Sequence, residues 1–155
     1  YAKHTVFYDA LPHYFLEFDA YDRERGVFLS TPARARLCRG LPLASVPVLA
    51  SGLAEDLGSL PRLIAPSRFK SEDWLGSLAG AAARLGQPPE LVRRQTDPSS
   101  LAEGLYLKSE RDGVVEGRFK LVRGTFLDQV QASGSHWAER PILPNQLAPG
   151  VELFS

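Results

Sequence analysis

Residues 102–122 read AEGLYLKSERDGVVEGRFKLV, and this stretch decides the fold class. Leu105 to Lys108 favours a strand, and Glu110-Arg111-Asp112-Gly113 carries the Asp-Gly signal of a hairpin turn. Val114 to Val122 supplies the returning strand. Alternation along it puts Arg118, Lys120 and Val122 on one face, so two cations project side by side. Glu103 precedes Gly104 at the strand entrance. Cations and a carboxylate converging on a sheet suit phosphate or metal-phosphate binding. They equally suit a solvated strand face whose charges pair across the hairpin, for instance Lys108 with Glu116.

Working outward, Tyr14 to Tyr21, YFLEFDAY, is the strongest strand candidate. Its period of two puts Leu16, Phe18 and Ala20 on an apolar face, and Phe15, Glu17, Asp19 and Tyr21 on the other. Phe18 between Glu17 and Asp19 suits either a ring presented to a base or a core strand. Asp22 to Gly26 reads as a turn, and Val27 to Leu29 as the return strand. Thr5 to Tyr8 favours a further strand.

Ser30-Thr31-Pro32 marks a helix start, with Gly40 as the stop. Arg34, Arg36 and Arg39 on that helix read as a solvated face or a nucleic-acid contact. A short helix is expected over Gly52 to Leu60, ended by Pro61. Ser71-Glu72-Asp73-Trp74 opens another, with Trp74, Leu75, Leu78, Ala82 and Leu85 at roughly helical spacing and Gly86 closing it. Glu90 to Gln95 and Phe126 to Val130 read as short helices. Pro141, Pro144 and Pro149 make residues 131–155 an irregular strap. Strands, then helices, then strands argue for an α+β fold of antiparallel sheets with inserted helices.

Composition bounds what this domain does. The chain has 155 residues, with 44% hydrophobic and 23% charged, the usage of a globular domain. Lys+Arg and Asp+Glu both number 18, so net charge is zero and a polycation that coats nucleic acid or membrane is excluded. No run approaches the ~18 apolar residues of a spanning helix, so no membrane partner is expected. Cys38, the one cysteine, fits a reducing, cytoplasmic setting. His4, His13 and His136 show no metal-ligand spacing with it. No GxSxG, P-loop or GxGxxG occurs. Methionine is absent and the chain opens Tyr-Ala-Lys-His, so these residues are expected to start inside a longer protein.

The ordered set of motifs resembles the covalent nucleotidyltransferase superfamily, specifically ATP-dependent RNA ligases of the bacteriophage type-2 kind. Tyr14 to Asp22, YFLEFDAYD, resembles motif IIIa. Ala102 to Lys108, AEGLYLK, resembles motif IV, EGxxxK. Gly117-Arg118-Phe119-Lys120 resembles motif V, usually KxK, with arginine at its first position. Val46 to Leu57, VPVLASGLAEDL, resembles the stretch between motifs IIIa and IV.

The resemblance implies part of a nucleotidyltransferase (ATP-grasp-like) ligase domain. Residues 1–130 would be the C-terminal part of the catalytic domain, and 131–155 the proline-rich strap. It implies ATP as substrate, a lysyl-AMP intermediate, Mg²⁺ or Mn²⁺, and RNA ends bearing 5′-phosphate and 3′-hydroxyl. Phe18 would stack on adenine, Glu103 would bind the metal or its water shell, Lys120 would contact the α-phosphate, and Arg118 and Lys108 would add phosphate-side charge. No KxDG is present, and Lys3 in AKHT lacks its partners. The nucleophilic lysine is therefore expected upstream of Tyr1, in an N-terminal half of the same domain. DNA ligases and RNA-capping guanylyltransferases share these motifs, but about 25 residues after Val130 are too few for an appended OB-fold. A non-catalytic nucleic-acid-binding module is the remaining alternative.

Overall fold

The computed structural model describes residues 2–53, 56–132 and 142–153. It divides into two compact units. One is built from Phe15–Leu63 and Gly104–Leu121; the other from Tyr1–Tyr14, Ile64–Glu103 and Val122–Ser155. We call them the hairpin unit and the helical unit.

The hairpin unit opens with β1 (Leu16–Glu17), β2 (Tyr21–Asp22) and β3 (Val27–Phe28). β2 and β3 pair antiparallel across the expected turn, Tyr21 opposite Phe28. Helix α1 (Thr31–Leu37) follows, its N-cap Ser30 accepting from the Ala33 amide, with proline in the first turn. β4 (Ala44–Ser45) then pairs in parallel with β1. The long hairpin is β5 (Gly104–Arg111) and β6 (Val114–Val122). Asp112 and Gly113 between them have φ of 49° and 83°. Two consecutive positive φ values make a tight turn whose twist matches the strands, which is why Asp-Gly sits there.

The expected strand over Tyr14 to Tyr21 is thus only two short pieces, and its faces differ from the alternation. Glu17 is buried and Phe18 is 47% exposed. The cause is Arg34, which is itself buried rather than solvated. Its Nε lies 3.4 Å from Glu17 Oε2. Ser45 Oγ donates to the other Glu17 oxygen. A partnered carboxylate takes an inner position, although Glu17 lies on the face opposite the apolar one in the alternation.

Residues Leu57–Leu63 form a 3-10 helix with Pro61 inside it, where an α-helix over Gly52 to Leu60 ending at Pro61 was expected. A proline removes one donor, and a short i→i+3 segment tolerates that loss better than a helix interior does. Ala54 and Glu55 lie outside the described residues.

In the helical unit, α2 (Trp74–Arg84) buries Trp74, Leu78, Ala81 and Ala82. Those positions recur at i, i+4, i+7 and i+8, one stripe of an α-helix. With Phe7, Val92 and Leu143 they form the core. Each large side chain there contributes roughly 1.5–3 kcal/mol by leaving water. Gly86 ends the element with φ of +64°. Helix α3 (Pro89–Arg94) packs against α2. α4 (Gly124–Ala132) extends the expected Phe126 to Val130 helix at both ends.

Thr5, Val6 and Phe7 are buried but form no strand. Their neighbourhood bonds to several separate segments. Asp97 donates its amide to the Thr5 carbonyl at 2.8 Å, Gln146 donates to the Tyr8 carbonyl at 2.8 Å, and Lys3 donates to the Leu143 carbonyl at 2.6 Å. β-propensity here is realised as burial without a ladder. Residues 142–153 run irregularly, with isolated bridges Ala2 to Pro144 and Leu11 to Leu147. His136 and Pro141 lie outside the described residues.

Candidate active site

Three of the expected site residues meet in the hairpin unit, around a carboxylate that sequence reasoning gave no role. Lys108 Nζ lies 2.7 Å from Asp19 Oδ1 and donates to the Phe18 carbonyl at 2.7 Å. Tyr106 donates its hydroxyl to Asp19 Oδ2 at 2.7 Å. Arg118 Nη1 lies 3.5 Å from the same oxygen. Arg118 also stacks its guanidinium 3.8 Å from the Phe28 ring centroid. Phe18 meets Tyr106 edge to face, centroids 5.3 Å apart.

The hairpin produces this cluster because Tyr106 and Lys108 alternate onto one face of β5. The charge-pairing alternative of the sequence is not what forms. Lys108 pairs with Asp19, while Glu116 pairs with Arg111 at 3.4 Å. Burial alone would raise the Asp19 carboxyl. The hydrogen bonds of Lys108, Tyr106 and Arg118 and the charge of Lys108 outweigh it and hold the carboxyl below its ordinary range. Lys108 and Arg118 against Asp19 leave one surplus positive charge beside an exposed ring. Lys120 is exposed further along β6. A planar ring, donors and surplus positive charge are what a purine and a phosphate require.

Glu103 belongs to the helical unit. Its Oε1 accepts the Tyr8 hydroxyl at 2.8 Å, and its carbonyl accepts from the Arg123 amide at 2.9 Å. Arg123 is itself clamped, pairing with Asp97 at 2.5 Å and donating Nε to the Ala102 carbonyl at 2.7 Å. Asp97 is 2% exposed. Burial, then the charge and hydrogen bond of Glu103, push the Tyr8 phenol above its ordinary value. Lys70, in the same unit, sits 3.8 Å over the Trp74 ring and donates to the Ser99 carbonyl. Burial brings its ammonium down to about 8.

Asp19, Tyr8, Arg123 and Lys70 were not singled out from the sequence. Tyr106 alone left a signal, the two-residue spacing to Lys108. Tyr8 and Glu103 are 95 positions apart, a separation no local pattern spans. Arg36 and Arg39 are exposed on and just after α1.

The family model for RNA ligase matches residues 1–122. The chain belongs to the RNA ligase family. No curated protein and no solved structure matches it. In this RNA ligase family member the matched span ends at the last residue of β6 and includes Phe18, Glu103, Lys108, Arg118 and Lys120. The α+β architecture agrees with an RNA ligase domain. Among the described residues, no helix is long and apolar enough to cross a membrane.

Proposed function

We propose that this chain supplies motifs IIIa, IV and V of an ATP-dependent RNA ligase of the bacteriophage type-2 kind, acting in the cytoplasm. The observation that carries the reading is the gathering of Phe18, Lys108 and Arg118 around Asp19. It supplies a ring for adenine and cations for the phosphates in one unit.

In the proposed reaction, a lysine amine attacks the α-phosphorus of ATP. The N–P bond forms, the P–O bond to pyrophosphate breaks, and lysyl-AMP results. The adenylate passes to an RNA 5′-phosphate, and a 3′-hydroxyl displaces AMP to seal the strand. The residues 1–155 hold no KxDG, so the attacking lysine comes from an N-terminal half carrying that motif. Phe18 stacks on adenine and fixes its plane. Lys120 meets the α-phosphate and offsets the charge that builds on its oxygens. Arg118 and Lys108 hold phosphate oxygens, Arg118 by a rigid fork that lysine lacks.

Glu103 fits a divalent ion of the Mg²⁺ or Mn²⁺ type. Its carboxylate is a hard oxygen donor, and its one hydrogen bond to Tyr8 comes from a neutral group that leaves the negative charge in place. Among the described residues, no three His, Cys, Asp or Glu cluster as a protein cage. When bound, such an ion neutralises charge on the phosphates.

The test is incubation of the full-length protein with α-labelled ATP. A labelled covalent adduct is expected, and Lys120→Ala should remove most of it. No adduct, together with no effect of Lys120→Ala on RNA binding or joining, sinks the reading. An adduct formed from GTP instead would mark a capping enzyme.

A further inference from the structure

We propose that Tyr8 is a positioning residue for the Glu103 carboxylate, holding it by a hydrogen bond so that it meets a divalent cation in one orientation. This rests on the ligase reading above, in which Glu103 is the metal-side carboxylate.

Tyr8 is built to hold its hydroxyl still. Its amide donates to Asn145 Oδ1 at 2.9 Å, and its carbonyl accepts from the Gln146 amide at 2.8 Å. Its ring stands edge-on to Phe69, centroids 5.9 Å apart at 90°. Backbone and ring are therefore fixed before the hydroxyl reaches Glu103 Oε1 at 2.8 Å. The acceptor is fixed too, since the Glu103 carbonyl takes the Arg123 amide and Arg123 is locked by buried Asp97.

The chemistry of the donor matters as much as its rigidity. An arginine or lysine in the place of Tyr8 would also orient the carboxylate, but it would cancel the charge that attracts a cation. A phenol orients without cancelling. Of the cations around this network, Arg123 is committed to Asp97, and Lys70, which feels the Glu103 charge, donates to the Ser99 carbonyl. A phenol ordinarily keeps its proton until about pH 10, so at neutral pH it is a donor. The hydrogen bond occupies Oε1 and leaves Oε2 as the oxygen for the ion or its water. Partners of this kind, one step behind a metal ligand, typically cost about 10–100-fold in metal affinity when removed.

The test uses the full-length enzyme and Mn²⁺, with a non-cleavable ATP analogue, read by electron paramagnetic resonance of free Mn²⁺. Tyr8→Phe, which keeps the ring against Phe69, should weaken Mn²⁺ binding by about tenfold or more. The Mg²⁺ concentration for half-maximal adduct formation should rise by the same factor, and saturating Mg²⁺ should restore the rate. Glu103→Gln should weaken Mn²⁺ at least as much, and the double variant no further. Unchanged Mn²⁺ affinity in Tyr8→Phe overturns the proposal, as does a rate loss that saturating Mg²⁺ leaves in place. If the wild-type enzyme forms no adduct and Glu103→Gln leaves Mn²⁺ binding unchanged, the ligase reading itself has failed. Should Tyr8→Phe not fold, 4-fluorophenylalanine at position 8 replaces it. It keeps the ring and fills the space of the hydroxyl with an atom that cannot donate, and an unchanged Mn²⁺ affinity there also overturns the proposal.

Discussion

Replacing Arg34 by methionine should be among the most damaging single changes in the hairpin unit. Arg34 is 4% exposed and Glu17 7%, and their charged atoms lie 3.4 Å apart. Arg34 also donates Nη1 to the Phe18 carbonyl at 2.5 Å. The methionine variant leaves the Glu17 carboxylate buried with Ser45 Oγ as its side-chain donor. Removing one partner of a buried ion pair costs about 3–5 kcal/mol, because the survivor keeps its desolvation penalty. Losing the bond to the Phe18 carbonyl adds about 1 kcal/mol. At roughly 2–4 °C per kcal/mol for a domain of this size, the ion-pair part alone lowers Tm by about 6–20 °C. Urea and thermal unfolding followed by circular dichroism measure it. The double variant Arg34→Met with Glu17→Gln removes the stranded charge and should recover a large part of the loss. A single-variant cost below about 1 kcal/mol would mean the pair is solvated and weak. A double variant no better than the single would mean that shape, not charge, is what Arg34 supplies.

Asp19 gives an acid-side prediction. Its folded carboxyl lies below the ordinary value, so it stabilises the fold above that value and the contribution disappears as pH falls through the lowered one. Asp19→Asn should therefore flatten the acid limb of an unfolding-midpoint profile; an unaltered limb counts against the cluster. Lys70 has the opposite sense. Its folded ammonium titrates at about 8, so the unfolded chain binds more protons above that point and stability rises from about pH 8 to 10. Lys70→Met should remove that rise, and a rise that persists refutes the burial of Lys70. Tyr8, raised in the fold, contributes stability at neutral pH that fades as pH climbs past the ordinary phenol value, and Tyr8→Phe should lessen that fade. Gly113→Ala forces a side chain to φ of 83° and should cost about 1 kcal/mol in urea unfolding, with no cost if the turn is of another type.

Local chemistry was legible wherever the relevant partner is near in sequence. Asp112-Gly113 fixed the turn, Ser30 with Pro32 fixed the start of α1, and the Trp74 stripe fixed α2. Where the partner is distant, pattern misled. Alternation set Phe18 on the apolar face and Glu17 on the opposite one, because it knew nothing of Arg34, 17 positions on. Thr5 to Phe7 have strand-forming side chains, yet the Thr5 carbonyl accepts from Asp97, and the flanking Lys3 and Tyr8 bond to Leu143 and Gln146. The candidate site divides the same way. Lys108, Arg118 and Phe18 were readable as motif residues, while Asp19, which gathers them, was visible only as a carboxylate beside an aromatic. The Tyr8 to Glu103 bond had no signature at all, since one tyrosine in an apolar run looks like packing.

The measurement closest to the central claim is RNA joining by the full-length protein. Strands ending in 3′-hydroxyl and 5′-phosphate are supplied with and without ATP and Mg²⁺. The account predicts sealed product only with ATP, passing through an adenylated RNA 5′ end, and lost in Lys120→Ala and Phe18→Ala. RNA retained in a salt-dependent way, with neither ATP requirement nor adenylated end, would contradict it and leave a binding module in its place.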